Sequence, residues 1–210
     1  MRIQKGILFA ALAPALLAAD TPRLFYSREF PGSNPAYLQV VVDKTGAAEY
    51  REAVDDDQPL KFKLTEAETK SVFDLAGKLE HFKNPLEAPV KVAFMGTKTF
   101  RYLDSDQKTE VKYNYSTEPL AQSLQDWFER MAESAQRRVQ LETSAKYDRL
   151  GVVKALLLLQ SALNNGRVVA PEQYLPILNR IIKDENYMHT ARARASEIEE
   201  AILGTAPKPQ

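Results

Sequence analysis

Residues 37–54 read YLQVVVDKTGAAEYREAV, and this stretch decides the fold class. Three consecutive β-branched residues, Val40 to Val42, favour an extended strand. A Lys-Thr-Gly turn at residues 44–46 follows, in which the glycine can take a positive φ, and residues 48–54 return as a second strand. The stretch therefore predicts a β-hairpin, and with it a sheet whose neighbouring strands run antiparallel.

Further strands are predicted outside the hairpin, because short stretches alternate apolar with polar residues. They cover residues 61–64, 90–94, 99–103 and 111–115. A helix interrupts them at the capping box of Thr65 and Glu68, in which each side chain binds the other residue's backbone N–H. Its apolar stripe consists of Val72, Leu75, Ala76 and Leu79. This order of elements is typical of an antiparallel sheet that helices cover on one face.

The second half of the chain is helical from Glu118 onward. Its first helix has an apolar stripe that includes Trp127, the only tryptophan, which we expect to plug the sheet core. Further helices are predicted at residues 150–163, from Pro171 onward, and at residues 187–203. The sequence therefore predicts an α+β fold, with an antiparallel β-sheet and covering helices followed by a C-terminal helical hairpin or bundle.

The N-terminus has the three parts of a secretory signal peptide. Arg2 and Lys5 supply positive charge, residues 7–18 are almost continuously apolar, and Ala19 is a small residue before the expected cleavage site. A permanent membrane anchor is the alternative, but a spanning helix needs about 20 apolar residues and this run has about a dozen. Because no cysteine follows the run, the lipid-modified cysteine of a lipoprotein is excluded.

Four segments are predicted along the chain. They are a signal peptide at residues 1–19, an α+β sheet domain at 20–140, a helical region at 141–203 and a flexible tail at 204–210. The alternative is that the helical region and the sheet domain share one core. No segment after the signal peptide is long and apolar enough to be predicted as a membrane-spanning helix.

Charge and cysteine content restrict the function and the compartment. The chain has 28 basic and 28 acidic residues, and removal of the signal peptide leaves 26 basic residues and a net charge of −2. Such a protein has no excess of Lys and Arg to neutralise phosphates, which argues against nucleic-acid binding. The chain has no cysteine. Because exported eukaryotic proteins usually enter disulfide-forming compartments, this favours a bacterial protein that is periplasmic or extracellular.

No catalytic, metal or cofactor site is predicted. His81 and His189 are the only histidines, and they fall in different halves of the chain without the spacing of metal ligands. The carboxylates of residues 104–110 lack the central glycine of a calcium loop, and the three aspartates of residues 55–57 are typical of a solvated turn. The chain has no Gly-x-Ser-x-Gly elbow and no Gly-rich phosphate loop.

Residues 170–202 resemble a HEAT-type helical repeat. They predict two antiparallel helices, with Pro176 inside the first, Asp184 in an acidic turn, and Arg192 and Arg194 early in the second. In that family the acidic residue and a basic residue of the second helix tie neighbouring repeats together, so the resemblance implies a protein-binding surface. One such unit is clear, whereas a stable solenoid needs about three. The strand-rich half is similar to exported bacterial domains that have no assigned function.

The sequence favours a non-enzymatic protein-interaction module of the bacterial cell envelope, with another envelope protein as its partner. We expect four exposed residues to form the contact, namely Tyr187, His189, Arg192 and Arg194. Alternatively, the two arginines pair with Glu185 and Glu197 on a solvated helix face.

A different class of function is a small-ligand-binding protein or a hydrolase with its site on the sheet face. The aromatic residues of the strand-rich half could line such a site, namely Tyr50, Phe62, Phe100, Tyr102, Tyr113 and Tyr115. The commoner role of such side chains is to pack in the core against a sheet. This function therefore requires that the aromatic face of the sheet be open.

Overall fold

The hairpin of residues 37–54 forms two neighbouring strands of a six-stranded antiparallel sheet. The computed structural model describes residues 21–205. In chain order the strands are β1 (Arg23–Glu29), β2 (Tyr37–Asp43), β3 (Ala47–Arg51), β4 (Leu60–Lys63), β5 (Thr97–Leu103) and β6 (Lys108–Tyr113). Across the sheet they are arranged β4-β3-β2-β1-β5-β6, and every pair of neighbours is antiparallel.

One helix separates β4 from β5, and the other helices follow β6. The α-helices are α1 (Glu66–Lys78), α2 (Pro119–Tyr147), α3 (Val152–Asn164), α4 (Leu175–Lys183) and α5 (His189–Thr205). Single short turns of tighter helix occur at Glu80–Phe82 and Pro171–Tyr174. The predicted α+β fold class, with C-terminal helices after the sheet, is confirmed.

The central strand β1 is absent from the strands predicted above. It pairs along its full length with β2 on one side and β5 on the other, and its inward residues Leu24 and Tyr26 are completely buried. Because β1 and β6 occupy both edges of β5, no edge remains for another strand there. The strand predicted at residues 90–94 is therefore wrong, and that segment is an irregular connection with exposed apolar side chains.

Helix α2 closes the inner face of the sheet with Phe128. Its ring stacks on that of Tyr26 at a centroid distance of 5.3 Å and lies 5.9 Å from that of Phe100. Trp127 does not plug this core, contrary to the prediction, because it is one helical position away and only half-buried. The Arg130 guanidinium instead covers its ring at 3.9 Å.

Two predicted local signals are present in the fold. Gly46 has a φ of +83°, and a Cβ at that position would lie 2.9 Å from the Leu64 carbonyl oxygen, so the turn requires glycine. At the start of α1, the Glu68 carboxylate accepts the Thr65 backbone N–H at 2.8 Å. The Thr65 hydroxyl in turn accepts the Glu68 N–H at 3.2 Å, which completes the predicted capping box.

Helix α2 belongs to two hydrophobic cores. Its first part, up to Ala135, packs in the core under the sheet. From Leu141 onward its buried residues join a second core with α3, α4 and α5. The boundary predicted between residues 140 and 141 therefore falls inside one continuous helix, close to the point where it passes from one core to the other.

No helix within residues 21–205 is long and apolar enough to cross a membrane. The predicted signal peptide at residues 1–19 lies outside the described residues, and so does most of the predicted tail at 204–210.

Substitution of Val139 by proline tests whether the two cores depend on α2 as one unit. Val139 is exposed and lies between the two buried stretches of α2, so the change breaks the helix without removing a core side chain. We expect Val139→Pro to lower the free energy of unfolding by about 3 kcal/mol or more. Urea unfolding followed by the fluorescence of Trp127, which lies on the sheet side, should report this loss.

Val139→Ala is the matched control and should unfold like the unsubstituted protein. An unchanged Trp127 transition in Val139→Pro would show that the sheet core is stable without a continuous α2, and would contradict the expectation.

Candidate functional site

The candidate site is a groove between the second half of α2 and helix α4. Its volume is about 490 Å³. Its lining consists of Arg138, Glu142, Ala145, Lys146, Gln173, Pro176, Ile177, Arg180 and Tyr187. We call this site the α2–α4 groove.

The floor of the α2–α4 groove is apolar and is fixed by a buried tyrosine. Ala145 and Ile177 are buried, and Tyr187 is 6% exposed. The Tyr187 hydroxyl donates a hydrogen bond of 2.8 Å to the Ala145 carbonyl oxygen. That carbonyl lies in the last turn of α2, where a helix provides no backbone partner for it. The bond therefore anchors the loop before α5 to the end of α2.

The rim of the groove is cationic. Arg138 is held by Glu142, with Nε 2.9 Å from the carboxylate, and also donates to the Lys61 carbonyl oxygen at 3.3 Å. Lys146 and Arg180 are exposed, and within residues 21–205 neither forms an ion pair. Three cations and one carboxylate leave the lining with an excess of two positive charges. Such a rim attracts acidic groups.

The predicted contact residues do not form one surface. Tyr187 was expected to be exposed, and this expectation is wrong because its side chain is buried in the floor of the groove. His189 is exposed at the first residue of α5. Arg192 and Arg194 are partly exposed, and two residues correspond to about 200° around a helix axis, so they point to opposite flanks of α5.

The two arginines of α5 also differ in their partners. Arg194 donates to the Gln160 side-chain oxygen on α3, and Gln160 donates to Glu197 at 3.3 Å. Within the described part of the chain, neither arginine forms an ion pair with Glu185 or Glu197. Asp184, in the turn before α5, accepts hydrogen bonds from Asn186, which hold the pKa of its carboxyl below the usual range.

The aromatic face of the sheet is closed by α1 and α2. All the aromatic residues named as candidate lining except Tyr115 are at most 8% exposed and lie in the core. Burial raises the pKa of Tyr50 and of Tyr113, so both phenols stay neutral. These side chains serve the fold and do not line an open groove.

His81 and Asp104, two of the residues considered above, contact the same tyrosine, Tyr102. His81 stacks on Tyr102 at 4.1 Å, and burial lowers the pKa of its imidazole. Asp104 accepts hydrogen bonds from Ser105 and from the Tyr102 hydroxyl. Among residues 21–205, no three His, Cys, Asp or Glu side chains are grouped so that they could hold a metal ion.

Substitution of Tyr187 by phenylalanine tests the anchor in the groove floor. The change removes the hydroxyl and leaves the buried Ala145 carbonyl without its side-chain donor. We expect a loss of about 1–2 kcal/mol in the free energy of unfolding, measured by urea denaturation, with an unchanged helix content by circular dichroism. Tyr147→Phe is the control, because that ring is exposed and should cost nothing measurable. Equal stability of the two variants would contradict the anchoring role.

No protein-family model matches this chain, and no curated protein sequence matches it.

Proposed function

We propose that this protein is an exported, non-enzymatic interaction module of the bacterial cell envelope. Its α2–α4 groove would bind a segment of another envelope protein that carries carboxylates beside apolar side chains. The observation that carries the proposal is the combination in the groove of an apolar floor with exposed rim cations, Lys146 and Arg180, that form no ion pair within residues 21–205.

Each part of the groove suits one part of such a segment. The floor of Ala145, Pro176 and Ile177 offers a surface to an apolar side chain, whose burial contributes about 25 cal/mol per Å² of apolar area. Lys146 and Arg180 offer free ammonium and guanidinium groups to carboxylates on either side of it. Arg138 is already paired with Glu142, so we expect its contribution to be smaller.

The surface beside the groove supports the same interpretation. Tyr147 and Leu150 are 73% and 77% exposed at the corner between α2 and α3, next in sequence to the groove residue Lys146. The Lys146 ammonium lies 4.8 Å from the Tyr147 ring centroid. Exposed aromatic and aliphatic side chains next to cations are typical of protein-binding surfaces. A partner that fills the groove can extend its contact over this corner.

Charge reversal at the rim tests the proposed binding site. The exported protein is titrated with a fluorescent peptide that alternates Glu and Leu, and with the same peptide in which Gln replaces Glu. We expect saturable binding of the Glu peptide, and a loss of about tenfold or more in affinity in the double variant Lys146→Glu/Arg180→Glu, because both free rim cations become anions. Lys154→Glu on α3 is the matched control, since this exposed lysine does not line the groove.

The α5 arginines provide a second comparison in the same assay. Arg192→Glu and Arg194→Glu are measured separately, because the two residues lie on opposite flanks of the helix. If either α5 variant loses binding while the groove variant Lys146→Glu/Arg180→Glu binds normally, the contact surface lies on α5 and not in the groove. Equal affinity for the Glu and Gln peptides would contradict recognition by the cationic rim.

The proposed export is tested by determining the N-terminus of the protein after expression in a bacterium. We expect the protein in the periplasmic fraction, with Asp20 as its first residue. Cleavage there preserves all of β1, which begins at Arg23 and holds the centre of the sheet. Recovery of the intact chain in the membrane fraction would favour the permanent anchor instead.

A further inference from the structure

Two cations on neighbouring strands oppose each other near one end of the sheet. Arg28 on β1 and Lys98 on β5 are directly opposed in the antiparallel register. Both lie at one end of the strands beside α2, and Lys98 is 6% exposed. Like charges at directly opposed positions of a sheet destabilise it. The pair therefore requires a compensating anion.

The existing hydrogen bonds do not supply that anion. The Lys98 ammonium donates to two carbonyl oxygens, of Asn114 at 2.7 Å and of Met95 at 3.4 Å. Within residues 21–205, the Arg28 side chain forms no ion pair, and its buried Nε has no hydrogen-bond partner. A guanidinium that pairs with no carboxylate of the described residues, at the wall of a cavity, is available to bind an anionic ligand.

The nearby carboxylates compensate the two cations only in part. Glu129 accepts hydrogen bonds from neutral groups, Gln125 at 2.8 Å and the Tyr26 hydroxyl at 3.4 Å. Asp126 is already paired with Arg130 and Arg167. The four charged residues of the lining, Arg28, Lys98, Asp126 and Glu129, sum to zero. Because Asp126 is neutralised by arginines outside the cavity, the remaining three leave an excess of one positive charge.

These groups line a cavity of about 420 Å³ that also has an apolar wall. Phe30, Met95 and Tyr115 form that wall. Gly96 has a φ of +91°, and a Cβ there would lie 2.8 Å from that of Phe30, so glycine lets the chain pass close to Phe30 before β5 begins. The cavity thus combines one uncompensated positive charge with space for an apolar group.

We propose that this cavity binds a small monocarboxylate with an apolar body. The planar Arg28 guanidinium can hold both carboxylate oxygens, and the apolar body would lie against Phe30 and Met95. A monoanion matches the excess of one positive charge, whereas a doubly charged phosphate would leave an uncompensated negative charge. We name this site the carboxylate pocket.

The lowered pKa of the Lys98 ammonium agrees with a cavity that can accept an anion. Burial lowers the pKa of its ammonium, and the Arg28 guanidinium lowers it as well, whereas Glu129 and Glu87 raise it. A bound carboxylate would act in the same direction as the two glutamates. The carboxylate pocket shares no lining residue with the α2–α4 groove, so this inference does not depend on the proposed function.

The experiment uses the exported protein and calorimetric titration with 3-phenylpropanoate and octanoate. The controls are 3-phenylpropanamide, which has the same shape without the charge, and inorganic phosphate. We expect at least one of the two carboxylates to bind saturably, while the amide and phosphate bind at least tenfold more weakly. Arg28→Gln should reduce carboxylate affinity about tenfold or more.

Two further measurements keep the result interpretable if Arg28→Gln folds poorly. Arg23→Gln is the matched control on the same strand and should bind normally, because its side chain lies on the opposite face of the sheet. Backbone amide shifts in the unsubstituted protein should change at Lys98 and Tyr115 on addition of the carboxylate. The proposal is overturned if neither carboxylate binds, if the amide or phosphate binds as well as the carboxylates, or if the shifts change elsewhere.

Discussion

The architecture depends on one constraint, which is that the single helix α2 must bury its apolar stripe against two different cores. The helix passes from one core to the other between Ala135 and Leu141, and Ser134, just before this passage, is completely buried. Its hydroxyl donates to the Arg130 carbonyl oxygen and accepts the Val169 N–H at 2.9 Å, while its own carbonyl accepts the Tyr174 hydroxyl at 2.6 Å. Because Val169 and Tyr174 bind the hydroxyl and the carbonyl of Ser134, the segment that leads into α4 is fixed at one position along α2. The α2–α4 groove is a consequence of that fixed position.

The features predicted successfully from the sequence are those that a few neighbouring residues determine. The turn at Gly46 depends on one φ angle, and the capping box of Thr65 and Glu68 depends on two side chains three residues apart. The structure adds a tertiary role to the second signal, because Glu68 also accepts the Ala170 N–H at 3.0 Å. Glu68 therefore connects the start of α1 to the chain segment that docks on Ser134, which no local pattern indicates.

The features that the sequence did not predict arise from competition between distant segments. Residues 90–94 alternate apolar and polar side chains as a strand would. The edge of β5 is instead paired with β1, which is the more favourable partner because it buries Leu24 and Tyr26 completely. Trp127 and Phe128 are adjacent in one apolar stripe, and only the direction of α2 over the sheet decides which ring enters the core. The burial of Tyr187 likewise depends on the Ala145 carbonyl oxygen, which has no helical N–H partner at the end of α2. The sequence alone could not show that this carbonyl lies beside Tyr187.

The carboxylate pocket shows the same limit most clearly. Arg28 and Lys98 are 70 positions apart and lie outside the predicted strands, and only the β1–β5 register brings them opposite each other. The pocket lies against the first half of α2, near Glu129, and the groove against its second half, from Arg138 onward. Nine residues of helix separate these two positions by about 13 Å, with no glycine or proline between them. One continuous helix thus contributes Glu129 to the cavity beside the sheet and Arg138 to the groove.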